Sequence, residues 1–244
     1  MVSLLMDKSL EEIWSESDWT KEARLLMQGF KEFSDNSNLI LFLRHSHRES
    51  ITNVEEMANL GLTEQGKEVA KILGRNLPKD RTIRLYYSAI PRCKETAKNI
   101  LKGFKESGGK GKLKGPLKHL YQVDGDVEYI VEQIFSNPDE QLINRWAAGH
   151  FPPDKIQPMN IYSHEAAKIV FNLVKDAPSN NIDIFVTHDL QVMALRFSWF
   201  GLEPIDYWVS YLGGFLISKT QIKTKLISNG KILKVKTPYW WNNL

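Results

Sequence analysis

Leu39-Ile-Leu-Phe-Leu43 runs directly into Arg44-His45-Ser46-His47-Arg48. Preceded by the turn-forming stretch Ser34-Asp35-Asn36-Ser37-Asn38, the apolar run reads as a short buried strand that ends in a charged cluster. The same grammar returns twice. Residues 83–87 run into Ser88-Ala89-Ile90-Pro91-Arg92, and residues 182–186 into Thr187-His188-Asp189. Helical patterns follow each strand: 63–73 with Thr63 as N-cap, 94–101, and 190–197. Strand then helix, three times over, predicts an α/β fold with a mostly parallel central sheet flanked by helices on both faces.

Outward from that frame, Trp19, Ala23, Leu26, Met27, Phe30 and Phe33 recur at helical spacing, with Ser17 or Asp18 as the cap. Residues 1–38 are therefore expected to form a helical extension packed on a single domain spanning 39–244. Residues 107–115, with four glycines and three lysines, read as an exposed flexible loop. Helical apolar spacing returns at 127–135 and 166–174. Residues 213–236 alternate as two or three strands, with Asn229-Gly230 as a hairpin turn.

Composition narrows the function. The 244 residues carry 32 Lys plus Arg and 29 Asp plus Glu, a net charge of +3, which gives no reason to expect a nucleic-acid partner. Cys93 is the only cysteine, so an intrachain disulfide and a cysteine zinc cluster are excluded. No apolar run approaches a membrane span, and the first residues lack a secretory-signal pattern, so a cytoplasmic protein without membrane attachment is expected.

In open parallel sheets the ligand crevice lies beyond the carboxyl ends of the strands, so the three clusters are expected to converge. They would bring together Arg44, Arg48, Arg92, His45, His188 and Asp189. Guanidinium forks match phosphoryl oxygens and the extra charge of their transition state. A histidine kept neutral by neighbouring cations is a competent nucleophile toward phosphorus, and a second, if protonated, adds a charged donor. A carboxyl group can supply the proton that an alkoxide leaving group needs.

Arg44-His45-x-x-Arg48 resembles the signature of the histidine phosphatase superfamily, which includes phosphoglycerate mutases and histidine acid phosphatases. Leu62-Thr63-Glu64-x-Gly66, Tyr87-Ser88-x-x-Pro91-Arg92-Cys93-x-x-Thr96-Ala97 and Val186-Thr187-His188-Asp189 resemble its later motifs, in order, over about residues 39 to 218. The resemblance implies a phosphoglycerate mutase-like fold and a metal-independent phosphatase without cofactor. His45 would take the phosphoryl group, and Arg44, Arg48, Arg92 and His188 would cradle it. Ser46 stands where the family has glycine, and Arg48 and Ile51 stand where mutase-like members have serine and asparagine. Arg48 and the His188-Asp189 pair resemble the acid-phosphatase side, which makes Asp189 the general acid; on the mutase-like side the candidates are Asp124, Asp126 and Glu128. The substrate is a phosphorylated small molecule or phosphoprotein, its choice set by residues 93–181 and the N-terminal helix.

Other readings compete. A phosphoglycerate mutase-like phosphotransferase would use the same residues. His45 and His47 have metal-ligand spacing and could begin a metal-dependent hydrolase site with His150, His164 or His188 and Asp189, although this leaves the arginines idle. A non-catalytic phosphate-binding regulatory protein would keep the pocket alone. Asp189 also stands where the next helix would have its N-cap. His47 is expected in a supporting or surface position, and His119, His150 and His164 as ordinary loop or cap residues. Cys93 is expected to be a buried apolar residue, and Trp146, Trp199, Trp208, Trp240 and Trp241 to be packing residues.

Overall fold

The computed structural model describes residues 9–34, 37–204, 207–218 and 223–244. Asp35 and Asn36 of the first turn, and the start of the chain through Lys8, lie outside the described residues. Among the described residues seven strands are seen: β1 (Leu39–Arg44), β2 (Thr82–Tyr87), β3 (Lys110–Pro116), β4 (Asn181–Thr187), β5 (Gly214–Ser218), β6 (Lys223–Ser228) and β7 (Lys231–Lys236). They form one sheet in the order β3-β2-β4-β1-β5-β6-β7. β1 through β4 run parallel, and β5, β6 and β7 follow as antiparallel neighbours, so five of the seven share one direction. Asn229 and Gly230 take the left-handed conformation that the tight β6–β7 hairpin requires.

Period-two alternation sends side chains of the central strands to two cores. Leu39, Leu41, Leu43, Ile83, Leu85, Ile182, Ile184 and Val186 face one layer of helices. That layer holds α1 (Leu10–Glu16), α2 (Asp18–Gly29), α4 (Glu64–Asn76) and α5 (Pro91–Glu106). The short helix α3 (Val54–Asn59) precedes α4 and has no buried residue. Ile40, Phe42, Tyr86, Phe185, Phe215 and Ile217 face the opposite layer: α6 (Val127–Ser136), α7 (Asp139–Ala147), α8 (Met159–Lys175) and α9 (Asp189–Phe200). On this face Tyr86, Phe185, Phe42 and Phe215 form a row of stacked rings across four strands, with successive centroids 5.0, 4.9 and 5.0 Å apart. Each stacked pair is also a register pair, so the row fixes how the strand ends line up.

The structure corrects several expectations. Residues 110–116 are not a loop but an edge strand pairing β2 in parallel. Its lysines point outward and guard the free edge, so an edge strand has the composition of a linker. α7 is a helix that the apolar spacing did not reveal, and α1 is a separate helix closed by a Ser9–Glu12 capping box. Ser17 precedes α2 but makes no side-chain cap bond. Thr63 does cap α4, accepting from the Gly66 amide at 2.9 Å. Among the described residues no helix is long and apolar enough to cross a membrane.

Phe42 is fully buried at the centre of the aromatic row. Phe42→Ala is expected to cost about 3–5 kcal/mol in urea unfolding; a change below about 1 kcal/mol would show that the row does not hold the sheet.

Candidate active site

The aligned strand ends deliver the charged clusters to one place. Arg44, the last residue of β1, pairs in register with Thr187, the last of β4. The ladder continues past the strands: the His45 amide donates to the Thr187 carbonyl at 2.9 Å, and the Ser88 amide to that of Val186 at 2.9 Å. His45 and His188 therefore face each other, ring centroids 5.5 Å apart.

The turn after His45 is held by the later motifs. The Ser46 amide donates to Thr96 Oγ1 at 3.0 Å, and Ser46 Oγ donates to the Gly66 carbonyl at 2.7 Å. Gly66 is required by contact: a Cβ there would lie 2.2 Å from the His47 carbonyl oxygen. Ser46 is accommodated where the family has glycine because its backbone is not left-handed and both its polar groups are bonded.

The tautomer of His45 follows from its partners. Nδ1 lies 2.8 Å from the Ser46 carbonyl oxygen, which can only accept, so Nδ1 carries the hydrogen. Nε2 keeps its lone pair and receives Arg92 Nε–H at 3.2 Å. Burial, then His188, Arg44 and Arg92, push the His45 pKa well below that of an ordinary histidine, against the pull of the Ser46 carbonyl. His45 is a buried, neutral imidazole.

His188 is neutral as well, its pKa pushed down to about 3 by burial and then by Arg92. Its Nδ1 accepts from Arg92 Nη2 at 3.2 Å, and its Nε2–H donates to Ser88 Oγ at 3.0 Å. The charged donor considered from sequence is thus not present in this state.

The three guanidinium groups are held from different elements. Arg44 Nη1 donates to the Val209 carbonyl at 2.8 Å, Nη2 pairs with Asp189 Oδ2 at 2.7 Å, and the group lies 4.3 Å over the Tyr211 ring. Arg92 Nη1 donates to the Met57 carbonyl at 2.6 Å, and Arg48 Nη1 to that of Glu49 at 2.6 Å. The Nε–H groups of Arg44 and Arg48 are buried without a hydrogen-bond partner. All three cations act on His188. Three guanidinium charges thus meet one directly paired carboxylate, with donors to spare.

Asp189 is the first residue of α9, not its cap, which is His188. Burial alone would raise its pKa, but Arg44 and then His188 outweigh it and hold the carboxyl below its ordinary range. Asp139, which the sequence reading did not single out, opens α7 beside it. Asp139 is exposed overall, yet partial desolvation of its carboxyl and then the Asp189 charge push it above its ordinary range, against Arg44. The other carboxylate candidates are engaged elsewhere: Asp124 pairs with Lys118 at 3.0 Å, and Asp126 caps α6 and pairs with Lys155 at 2.7 Å. Glu128 is an exposed residue in the first turn of α6.

Rather than bonding His45, His47 meets Thr63 Oγ1 through Nδ1 at 3.0 Å and packs its ring on Trp19 of α2 at 5.4 Å, in a supporting position. Among the described residues no three His, Cys, Asp or Glu side chains gather as a metal-holding group, so His45 and His47 have no ligand set to complete. Cys93 is buried against His188, and burial pushes its thiol up to about 12. Trp146, Trp199 and Trp241 are buried, and Trp208 and Trp240 pack against the same core. A cavity of about 710 Å³ lies near the amino end of β1, lined in part by Leu39, Ile40, Asp183 and Lys234, and is not lined by Arg44, His45, Arg48, Arg92, His188 or Asp189.

A family model described as histidine phosphatase superfamily (branch 1) matches residues 40–224. The chain belongs to this superfamily. Solved structures similar to it include mycobacterial hydrolase 1, with 17% identity, a TM-score of 0.53, and coverage of 78% of this chain and 97% of that one. Another is a phosphoserine phosphatase from Entamoeba histolytica in complex with 3-phosphoglyceric acid, with 14% identity, a TM-score of 0.51, and coverage of 84% and 99%. At such identities these structures show the fold, an α/β domain with a mostly parallel central sheet flanked by helices. No curated protein matches the chain. The leaning toward the acid-phosphatase side gains nothing from these matches.

Both buried histidines couple stability to pH. Their folded pKa values lie below that of the unfolded chain, near 6.5, so unfolding takes up protons in acid. The stability they confer is complete above that value and falls as pH drops toward the folded pKa. For His188 the loss between pH 7 and 5 is expected to be about 2 kcal/mol. His188→Gln should flatten the pH dependence of the urea midpoint by that amount; an unchanged slope would mean that His188 is not buried neutral.

Proposed function

We propose that this superfamily member is a metal-independent phosphomonoesterase that works through a phosphohistidine on His45. One observation carries the reading: a neutral imidazole whose unprotonated Nε2 accepts from Arg92 Nε–H lies among three guanidinium groups, two of which hold buried N–H donors without acceptors. A phosphoryl dianion supplies the missing negative charge and acceptors. Arg44, Arg48, Arg92 and His188 form its cradle.

In the first step His45 Nε2 bonds to phosphorus while the bond to the leaving oxygen breaks, and that oxygen takes a proton from Asp189. In the second, Asp189 as carboxylate takes a proton from water, whose oxygen attacks phosphorus and frees His45. Arg44 holds Asp189 ionised in the free protein. A bound dianion shares Arg44 and places negative charge beside Asp189, which raises its pKa and loads the proton. Asp139 is the second candidate, because its carboxyl is already held above the ordinary range. A phosphotransferase would share the first step and differ only in the acceptor.

His45→Ala is expected to abolish hydrolysis with the fold intact and with chelator without effect. Activity near wild type would sink the mechanism, and loss on chelation restored by zinc would favour metal chemistry. Arg92→Ala is expected to lower kcat/KM by about 2–4 kcal/mol of transition-state stabilisation.

Leaving-group dependence tests the acid. Asp189→Asn should slow alkyl phosphates strongly and p-nitrophenyl phosphate little, because a nitrophenolate leaves without a proton. Loss of that pattern at Asp189, with its appearance in Asp139→Asn, would transfer the role to Asp139.

A further inference from the structure

Glu22 is a buried carboxylate on α2, 4% exposed, in the N-terminal extension. Oε2 accepts from the Ser210 amide at 3.0 Å and from Ser210 Oγ at 3.1 Å. Oε1 accepts from the Gly214 amide at 2.9 Å and from the Tyr207 hydroxyl. Among the described residues no lysine or arginine forms an ion pair with it; Arg196 lies 4.4 Å over the Tyr207 ring and bonds Ser228 Oγ instead. Burial raises the Glu22 pKa and these hydrogen bonds pull against it, so four donors from one short segment, residues 207–214, satisfy carboxyl oxygens that would be very unfavourable if left unpaired.

The same segment shapes the active site between the three residues that Glu22 pins, Tyr207, Ser210 and Gly214. Val209 accepts from Arg44 Nη1, the Tyr211 ring lies beneath the Arg44 guanidinium, and the Gly213 carbonyl accepts from the Arg44 amide at 2.9 Å. The Leu212 amide donates to the His45 carbonyl at 3.3 Å. A second link runs from the same helix: Trp19 packs edge-on against Tyr211 at 6.0 Å. Of the three groups that hold the Arg44 guanidinium, only Asp189 comes from outside this segment.

We propose that Glu22 is a positioning residue for catalysis: carried in by the N-terminal helix, its carboxylate sets the 207–214 segment so that Val209 and Tyr211 hold Arg44 against the phosphoryl group. The inference rests on the phosphatase reading above. It makes the N-terminal extension part of the enzyme's machinery.

The test is a double-mutant cycle of Glu22→Gln with Arg44→Lys, read in kcat and KM on p-nitrophenyl phosphate and in orthovanadate affinity by calorimetry, with thermal melts as the check on folding. Glu22→Gln alone should lower kcat/KM by about ten-fold or more and weaken vanadate binding while the protein remains folded. If Glu22 acts through Arg44, the double variant should be little worse than Arg44→Lys. Losses that multiply, or a Glu22→Gln variant within about two-fold of wild type, would overturn the proposal. Should Glu22→Gln fail to fold, Tyr207→Phe and Ser210→Ala each remove one donor and enter the same cycle. Wild-type protein that binds vanadate yet hydrolyses no phosphomonoester would overturn the phosphatase reading; the vanadate cycle then still decides the role of Glu22.

Discussion

The bond from His45 Nδ1–H to the carbonyl of its own neighbour, Ser46, determines what the cleft can do. It places the hydrogen on one ring nitrogen and leaves the lone pair on the other. Burial and the surrounding cations then keep the ring from taking a second proton. On the proposed reading the arginines therefore have two effects at once: they favour a neutral nucleophile, and they hold the anion that it attacks.

This arrangement depends on strands meeting at the right level. The row Tyr86–Phe185–Phe42–Phe215 fixes the register of β2, β4, β1 and β5 from the far face of the sheet. On the near side, Thr96 and Gly66 hold the turn that carries Ser46 and His47. The motif residues outside the cationic cluster are thus explained by backbone placement. Thr63 has the same character, since it caps α4 and meets His47.

Much of this was legible in the chain. The three apolar runs that end in polar clusters showed a parallel sheet and a shared crevice, because buried strands need near-continuous apolar residues. His45, His188, Arg44, Arg92 and Asp189 come together as that pattern implied. β3 was not legible, since the lysines and glycines that protect a sheet edge also compose linkers. Nor were Tyr211, Asp139 and Glu22. Each reaches the site by tertiary packing of a distant segment, and no local period or spacing encodes such an approach. The protonation of His188 depends in the same way on how deeply the fold buries it beside Arg92.

The central claim is that the His45 imidazole becomes covalently phosphorylated during turnover. Rapid-quench mixing with a labelled phosphomonoester, followed by peptide mapping, addresses it directly. The account expects a phosphoryl adduct on the peptide containing His45, formed no more slowly than turnover, stable in alkali and lost in acid. Turnover with no adduct on any time scale, or an adduct on another residue, would contradict it.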